Sequence, residues 1–129
     1  MTYLLDTDTC IAFLRGRDPG LRQRFAALSA EEMIVPAPVR GELFYGAARS
    51  QDPQRARRQV DAFLAPFASR PFDDNAAAAY GEIRADLAAS GTLIGPNDLL
   101  IAAIARSASL TLVDAQYTRV RACSRSRAR

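Results

Sequence analysis

The stretch TYLLDTDTCIAFL, residues 2–14, decides the fold. Its apolar start is typical of a buried strand that ends at Asp6. Thr7 or Asp8 can then cap a helix that runs through Leu14. A strand that passes directly into a helix is the first part of a parallel strand, helix, strand unit. Two carboxylates, Asp6 and Asp8, therefore lie at the end of a predicted core strand.

The rest of the chain repeats this alternation of apolar runs and helical patterns. Further strands are predicted at residues 33–36 and 110–113, with a small one at 69–72. Further helices are predicted after Asp18, after Pro36, after Asp52, over 76–90 with residues 73–75 as its cap, and over 98–108. Because the strands are too uniformly apolar to have a wet face, they indicate a sheet covered on both sides. We predict an α/β fold, a three-layer α/β/α sandwich with a central, mostly parallel sheet.

A length of 129 residues suits one domain with a single core. No apolar run approaches the roughly 20 residues that a membrane span needs, and the start lacks the pattern of a secretory signal. A cytoplasmic location is therefore expected. Cys10 and Cys123 lie far apart, in no spacing typical of a metal site, so both are expected to be free thiols.

The positive charge is concentrated at the C-terminal end. All 17 basic residues are Arg, and residues 119–129 hold five of them and no acid, so the net charge of +3 leaves −2 for the rest of the chain. Such an end can hold a phosphate backbone, but it is about as often simply solvated. We predict a folded domain over residues 1–118 and a flexible, Arg-rich tail over 119–129.

Histidine is absent from the chain. Its absence excludes Ser-His-Asp and Cys-His nucleophilic catalysis, His-based ribonuclease chemistry and His-rich zinc sites. Hydrolytic chemistry in this protein must therefore use carboxylates, and a metal ion is the expected cofactor.

Four acids are candidates for such chemistry. Asp6 ends the first predicted strand and Asp114 ends the last, so both should face the crevice where parallel sheets bind ligands. Glu42 lies among the apolar positions of its helix, and Asp98 directly precedes the apolar run LLIAAIA. Converging carboxylates repel one another unless a divalent cation neutralises them, and Mg²⁺ or Mn²⁺ prefers oxygen ligands. Such an ion can activate water for hydrolysis of a phosphodiester.

Each acid also has a purely structural interpretation. Asp6 can end its strand in a turn, and Asp8 can cap the following helix. Asp98 gains from the helix dipole in a first turn. Glu42 faces solvent if its helix is rotated, and Asp114 can simply start a turn. Spacing alone leaves both interpretations open.

Three motifs follow one another along the chain, YLLDTDTCI at residues 3–11, VRGELFYGA at 39–47 and IGPNDLLIAAIA at 94–105. Together they resemble the PIN-domain family, and more narrowly its VapC-type toxins of bacterial toxin–antitoxin pairs. The likeness rests on their order and separation as well as on their residues. It covers about residues 2–114, nearly all of the predicted folded part.

This resemblance implies RNA cleavage by a quartet of acids that binds Mg²⁺ or Mn²⁺. Carried over by motif, Asp6 and Asp98 are the implied direct metal ligands, and Glu42 is the helix-borne member of the site. Asp114 is taken as the fourth catalytic acid by its proximity to the last motif. The resemblance also implies a homodimer and a small VapB-like antitoxin that inserts a segment into the acidic crevice.

Three departures from the family pattern concern the site and its surroundings. Asp8 stands where the family usually has Asn. At the last motif Asp114 stands at the usual Thr position, and Gln116 stands where Asn or Asp is expected. The ending familiar from relatives is replaced by CSRSRAR, which predicts loss of the last strand.

The leading hypothesis is a metal-dependent endoribonuclease that acts as the toxin of a two-gene module. Arg15, Arg17 and Arg40 are candidates for phosphate contacts beside the crevice, although Arg is more often a solvated surface residue. The alternatives are a DNA-directed metal nuclease, a catalytically impaired PIN domain that binds an antitoxin, and a purely structural cation site. Metal-dependent turnover of RNA and DNA separates these alternatives.

Overall fold

The computed structural model describes residues 2–16, 19–114 and 119–122, and of residues 21, 113, 114 and 119–122 it describes the backbone alone. In these ranges the strands are β1 Tyr3–Leu5, β2 Met33–Ile34, β3 Thr111–Asp114 and β4 Arg119–Ala122. The helices are α1 Thr7–Arg15, α2 Pro19–Ala26, α3 Ala37–Ala48, α4 Pro53–Leu64, α5 Asp74–Ala89 and α6 Pro96–Ser107, with a short 3-10 helix at Ala30–Glu32. No helix within the described ranges has the length and apolar character to cross a lipid bilayer.

The described strands form one sheet in the order β2-β1-β3-β4. The central strand β1 is parallel to both neighbours, so Leu4 pairs with Ile34 on one side and with Leu112 on the other. Leu4 and Leu5 are buried, as expected for a strand covered on both faces. The predicted α/β/α sandwich with a mostly parallel sheet is confirmed.

The edge of the sheet beyond β3 differs from the prediction. Residues Arg119–Ala122 form β4 and pair with β3 in antiparallel register, with Val120 opposite Val113. The predicted loss of the last strand is therefore wrong, and residues 119–122 of the predicted tail belong to the sheet. The sequence RVRA alternates with the period of a strand, and its pairing satisfies backbone groups that would otherwise form an open edge. The remaining tail, residues 123–129, lies outside the described residues.

The prediction of a small strand at residues 69–72 is also wrong. Pairing beside β2 is limited to one parallel bridge between Ile34 and Ala68, supported by a 3.0 Å hydrogen bond from the N–H of Val35 to the carbonyl of Ala68. Pro71 follows, and because proline has no N–H to donate, it does not extend a ladder.

One hydrophobic core joins the sheet to α1, α3, α4 and α6. Its largest fully buried side chains include Leu4, Leu5, Ile101, Ile104, Val35 and Val39. An aromatic cluster extends this core, since the Phe13 ring lies 5.4 Å from the Phe25 ring and 5.6 Å from the Phe63 ring, measured between centroids. These contacts connect α1 to α2 and α4.

The helices α5 and α6 pack against each other as a pair with a second buried cluster, formed by Ala79, Ile83, Leu99 and Ala103. The small Ala side chains let the two helices approach closely. Asp73 caps α5 as predicted, because its side chain accepts a 2.9 Å hydrogen bond from the N–H of Ala76.

Arg106, in the last turn of α6, is an exception to the apolar packing of this pair. Its side chain is 12% exposed, and its Nη1 atom lies 3.5 Å from Oε1 of Glu82 on α5. The buried Nε and Nη1 atoms have no hydrogen-bond partner among the described residues. The guanidinium is therefore poorly compensated for its loss of water.

Candidate metal centre

Asp6 lies directly after β1 and forms the N-cap of α1. Its backbone is extended, at φ −85° and ψ 174°, and its Oδ1 atom accepts a 2.8 Å hydrogen bond from the N–H of Thr9. The prediction that Thr7 or Asp8 caps this helix is wrong, since the first residue after the strand already has the extended backbone that a cap needs. Asp8 instead lies exposed in the first turn of α1.

Asp98 lies exposed in the first turn of α6, after the cap residue Gly95 and Pro96 at the first helical position. Its side chain turns back toward the start of the helix. A Cβ atom placed on Gly95 would be 3.8 Å from Oδ2 of Asp98. A carboxylate in this place is stabilised by the helix dipole.

A hydrogen bond between side chains joins the beginnings of these two helices. The Nδ2 atom of Asn97 donates to the Oγ1 atom of Thr7 over 3.3 Å, between residues 90 positions apart in sequence. Asp6 precedes Thr7 and Asp98 follows Asn97, so each predicted metal ligand is the chain neighbour of one partner in this bond. The structure thus brings Asp6 and Asp98 to the same end of the sheet.

Asp114 ends β3 at this same end of the sheet. Leu5 pairs with Val113 in parallel register. The residues that come next in the chain, Asp6 and Asp114, therefore follow paired positions on two adjacent strands. The side chain of Asp114 and the whole of Gln116 lie outside what the structure describes, so the predicted fourth acid stays a prediction.

Glu42 is exposed on α3 and lines a groove of about 600 Å³ between α1, α3 and α4. Arg15 and Arg49 line the same groove, and Leu43, Ala47 and Val60 contribute apolar surface to it. Among the side chains that the structure describes, no three of Asp, Glu and Cys lie close enough together to hold a metal ion. The structure therefore brings together the helix starts that carry Asp6 and Asp98, but it does not gather the four predicted acids into one cluster of described side chains.

Cys10 is buried on α1, one turn after Asp6. Burial raises the pKa of its thiol far above the ordinary value, the negative charge of Asp6 raises this pKa further, and the positive charge of Arg40 lowers it. The thiol is thus neutral at neutral pH. Cys10 is fully buried in the hydrophobic core, where it packs as a small apolar side chain.

The side chain of Arg40 is held by hydrogen bonds to backbone carbonyls of the fold. Its Nε atom donates to the carbonyl of Val35 at 2.8 Å, and its Nη2 atom donates to the carbonyls of Phe67 and Ala68 at 3.0 and 3.2 Å. Burial lowers the pKa of this guanidinium, while the nearby Cys10 thiol raises it. The candidate phosphate contact at Arg40 is therefore a structural link between α3 and the segment after α4. Of the other two candidates, Arg15 is exposed at the groove, and Arg17 is outside the described residues.

A family model described as the PIN domain matches residues 3–121 of the chain. The chain belongs to the PIN-domain family. The resemblance of its three motifs is confirmed over the whole folded part.

Two relatives of this PIN-domain protein carry VapC names. The tRNA(fMet)-specific endonuclease VapC of Salmonella typhimurium is 36% identical over 113 residues, which cover 88% of this chain and 85% of that protein. Ribonuclease VapC2 of Haemophilus influenzae is 37% identical over 113 residues, with the same coverage of 88% and 85%.

Solved structures with the same PIN fold include toxin–antitoxin complexes. VapBC2 from Rickettsia felis, bound to a DNA fragment from its promoter, matches with a TM-score of 0.82 and 30% identity over 88% of this chain and 86% of that chain. DNA-bound VapBC from Salmonella typhimurium matches with a TM-score of 0.80 and 35% identity over 85% of this chain and 83% of that chain.

The oxygen donors at this end of the PIN domain fit a hard divalent cation. Mg²⁺ keeps several waters and commonly takes only one or two protein carboxylates. Asp6 and Asp98 would supply two, each next in the chain to one partner of the bond between Asn97 and Thr7. The capping bond from the N–H of Thr9 uses one acceptor position of Asp6, and a carboxylate has about four such positions.

The contact between Thr7 and Asn97 was not predicted from the sequence, in which Thr7 was considered only as a possible helix cap. Thr7 lies inside the motif at residues 3–11 and Asn97 inside the motif at 94–105, next to Asp6 and Asp98 respectively. The signal that could have found them is a side-chain amide and a hydroxyl at the first turns of two helices that follow neighbouring strand ends.

Proposed function

We propose that this protein is a metal-dependent endoribonuclease and the toxin component of a type II toxin–antitoxin pair. The support for RNA hydrolysis is the similarity to an endonuclease specific for tRNA(fMet) and to a ribonuclease, each over 88% of the chain. The single structural observation behind the proposal is the hydrogen bond that joins the starts of α1 and α6. It links Thr7, which follows Asp6 in the chain, to Asn97, which precedes Asp98.

In this proposal Asp6 and Asp98 hold Mg²⁺ or Mn²⁺. When bound, such an ion polarises a phosphodiester oxygen and lowers the pKa of an attacking water. Asp6 is kept in one rotamer by the N–H of Thr9. The first turns of α1 and α6 direct the positive ends of two helix dipoles toward the site, which favours the approach of an anionic phosphate. The family motif supports Glu42, and the sheet register supports Asp114, as further catalytic acids; among the described side chains Glu42 forms no three-acid group with Asp6 and Asp98.

The proposed partners are RNA, a small VapB-like antitoxin and a second copy of the chain. The antitoxin is supported by the VapBC complexes that share this fold. The homodimer follows from the family resemblance alone. Light scattering of the purified protein tests the dimer, and a mass of one chain at micromolar concentration would exclude it.

The test of the activity is cleavage of total RNA by partner-free protein with Mg²⁺, with Mn²⁺ and with EDTA, beside structured RNA and DNA substrates. Asp6→Asn is the informative variant, because Asn caps helices about as well as Asp and α1 should stay folded. We expect discrete RNA products that require metal and are absent with the variant. Cleavage by Asp6→Asn at the wild-type rate, or cleavage in EDTA, would contradict the proposal.

A second candidate is a catalytically impaired PIN domain that binds an antitoxin. Two observations favour it: Gln116 stands at the usual position of Asn or Asp, and no third acid joins Asp6 and Asp98 among the described side chains. A folded, partner-free protein that turns over no nucleic acid with any divalent metal would support this candidate.

A further inference from the structure

The first turns of α1 and α6 are connected by side chains rather than by helix packing. α1 packs mainly on α3 and β3, whereas α6 packs mainly on α5. The hydrogen bond from Asn97 to Thr7 crosses between them, and both side chains are half-buried. This bond therefore links the two helix ends directly.

Each of the two proposed metal ligands is already oriented within its own helix. Asp6 is fixed by its capping bond from the N–H of Thr9, 2.8 Å long. Asp98 is folded back over the start of α6, close to Gly95. The remaining variable is the distance between the two carboxylates, and successive Cα atoms are only about 3.8 Å apart. A shift at Thr7 or Asn97 is therefore passed directly to the neighbouring acid.

The chemistry of the bond also orients the Thr7 hydroxyl. An amide NH₂ group only donates, so Oγ1 of Thr7 acts as the acceptor. The hydroxyl proton must then point away from Asn97. Valine at position 7 would keep the shape of threonine but would remove the acceptor, and serine would keep it.

We propose that Asn97 is a positioning residue that acts through Thr7 to set the separation of Asp6 and Asp98. This inference rests on the proposed function, because it assigns the two acids to one divalent cation. Loss of an oriented partner next to metal ligands typically weakens metal affinity by about 10- to 100-fold. We expect a loss of at least about tenfold in Mn²⁺ affinity for Asn97→Ala, and a lower kcat with little change in KM.

The deciding experiment is the dissociation constant of Mn²⁺, measured by electron paramagnetic resonance on the full metal-free chain. The variants are Asn97→Ala, Thr7→Val, the double variant and Thr7→Ser. Asn97→Ala and Thr7→Val should each weaken binding by a similar factor, the double variant should lose no more than either one, and Thr7→Ser should bind close to wild type. Thermal unfolding in the absence of metal identifies any variant that is not folded.

Asn75→Ala is the matched control. Asn75 occupies the same place in α5 that Asn97 occupies in α6, the second position of the helix, but it is exposed and far from the two acids in the chain. Its replacement should leave Mn²⁺ binding unchanged.

Two outcomes would overturn the inference. One is wild-type Mn²⁺ affinity in folded Asn97→Ala, and the other is fully additive losses in the double variant, since independent effects would mean that Asn97 does not act through Thr7. Cleavage of RNA by the wild-type protein decides the proposed function separately. A wild-type protein that binds Mn²⁺ without cleaving RNA would refute the nuclease, and the same variants would still decide the role of Asn97.

Discussion

Replacement of Arg40 should destabilise the fold without weakening RNA binding. Arg40→Met keeps the length of the aliphatic stem but removes three hydrogen bonds to backbone carbonyls. The carbonyl of Ala68 keeps a partner, because it also accepts from the N–H of Val35. The carbonyls of Val35 and Phe67 lose the donors described here, at a cost of about 1–2 kcal/mol each.

The expected loss for Arg40→Met is therefore about 2–4 kcal/mol in the free energy of unfolding. For a domain of this size, it corresponds to a fall in melting temperature of roughly 10 °C. Urea unfolding of the metal-free protein measures the free energy directly. Arg58→Met is the matched control, since Arg58 is exposed on α4, and such surface changes usually stay within about 0.5 kcal/mol.

RNA binding distinguishes this interpretation from a phosphate contact. Loss of one phosphate contact lowers the slope of log affinity against log salt by about one. We expect an unchanged slope for Arg40→Met, measured in the Asp98→Asn background, which is predicted to leave the RNA uncleaved. A variant as stable as wild type, with a slope reduced by about one, would refute the structural role of Arg40.

Three further predictions concern stability and pH. Gly16→Ala should destabilise the fold by about 1–2 kcal/mol, because Gly16 ends α1 at φ +63°. Gly81 lies inside α5 with open space around it, so Gly81→Ala should stabilise the fold by about 0.5–1 kcal/mol. Equal changes in the free energy of unfolding, measured in urea, would contradict this difference. Arg106→Met should raise stability by about 1 kcal/mol or more, because two buried guanidinium nitrogens have no described hydrogen-bond partner, and a lower melting temperature would show that the ion pair with α5 outweighs this cost. Burial raises the pKa of the Cys10 thiol above the ordinary value of 9.0, so on raising the pH the unfolded chain loses this proton before the folded chain does. The free energy of unfolding of the Cys123→Ser protein should therefore exceed that of its Cys10→Ala variant by a full margin below pH 9.0, and this margin should shrink as the pH rises through that value. A margin that stays constant with pH in urea unfolding would contradict this prediction.

Local patterns in the sequence were sufficient to predict much of the fold. The apolar strands at β1 and β3 and the helix after Pro96 follow from short-range signals, and so does the Asp73 cap. Two errors have one physical cause. The strand expected at 69–72 and the one thought lost after Asp114 depend on which partner each edge of the sheet finds, and pairing across the sheet is not encoded in local propensity.

The candidate site was predictable by residue type but not by arrangement. Asp6 and Asp98 were expected at one crevice, and the structure brings the ends of their helices together. The cap role of Asp6 depends on where β1 ends, a boundary that a sequence defines only within a few residues. The bond between Asn97 and Thr7 joins residues far apart in the chain, and no local signal specifies such a contact.

The most direct test of the proposed activity compares Asp98→Asn with Asp74→Asn in metal-dependent RNA cleavage. Both acids lie in the first turn of a helix, α6 and α5 respectively, so the loss of a favourable dipole interaction is matched. We predict that Asp98→Asn, folded by circular dichroism, loses cleavage in both Mg²⁺ and Mn²⁺, whereas Asp74→Asn cleaves like wild type. Cleavage by Asp98→Asn at the wild-type rate would contradict the assignment of the metal centre.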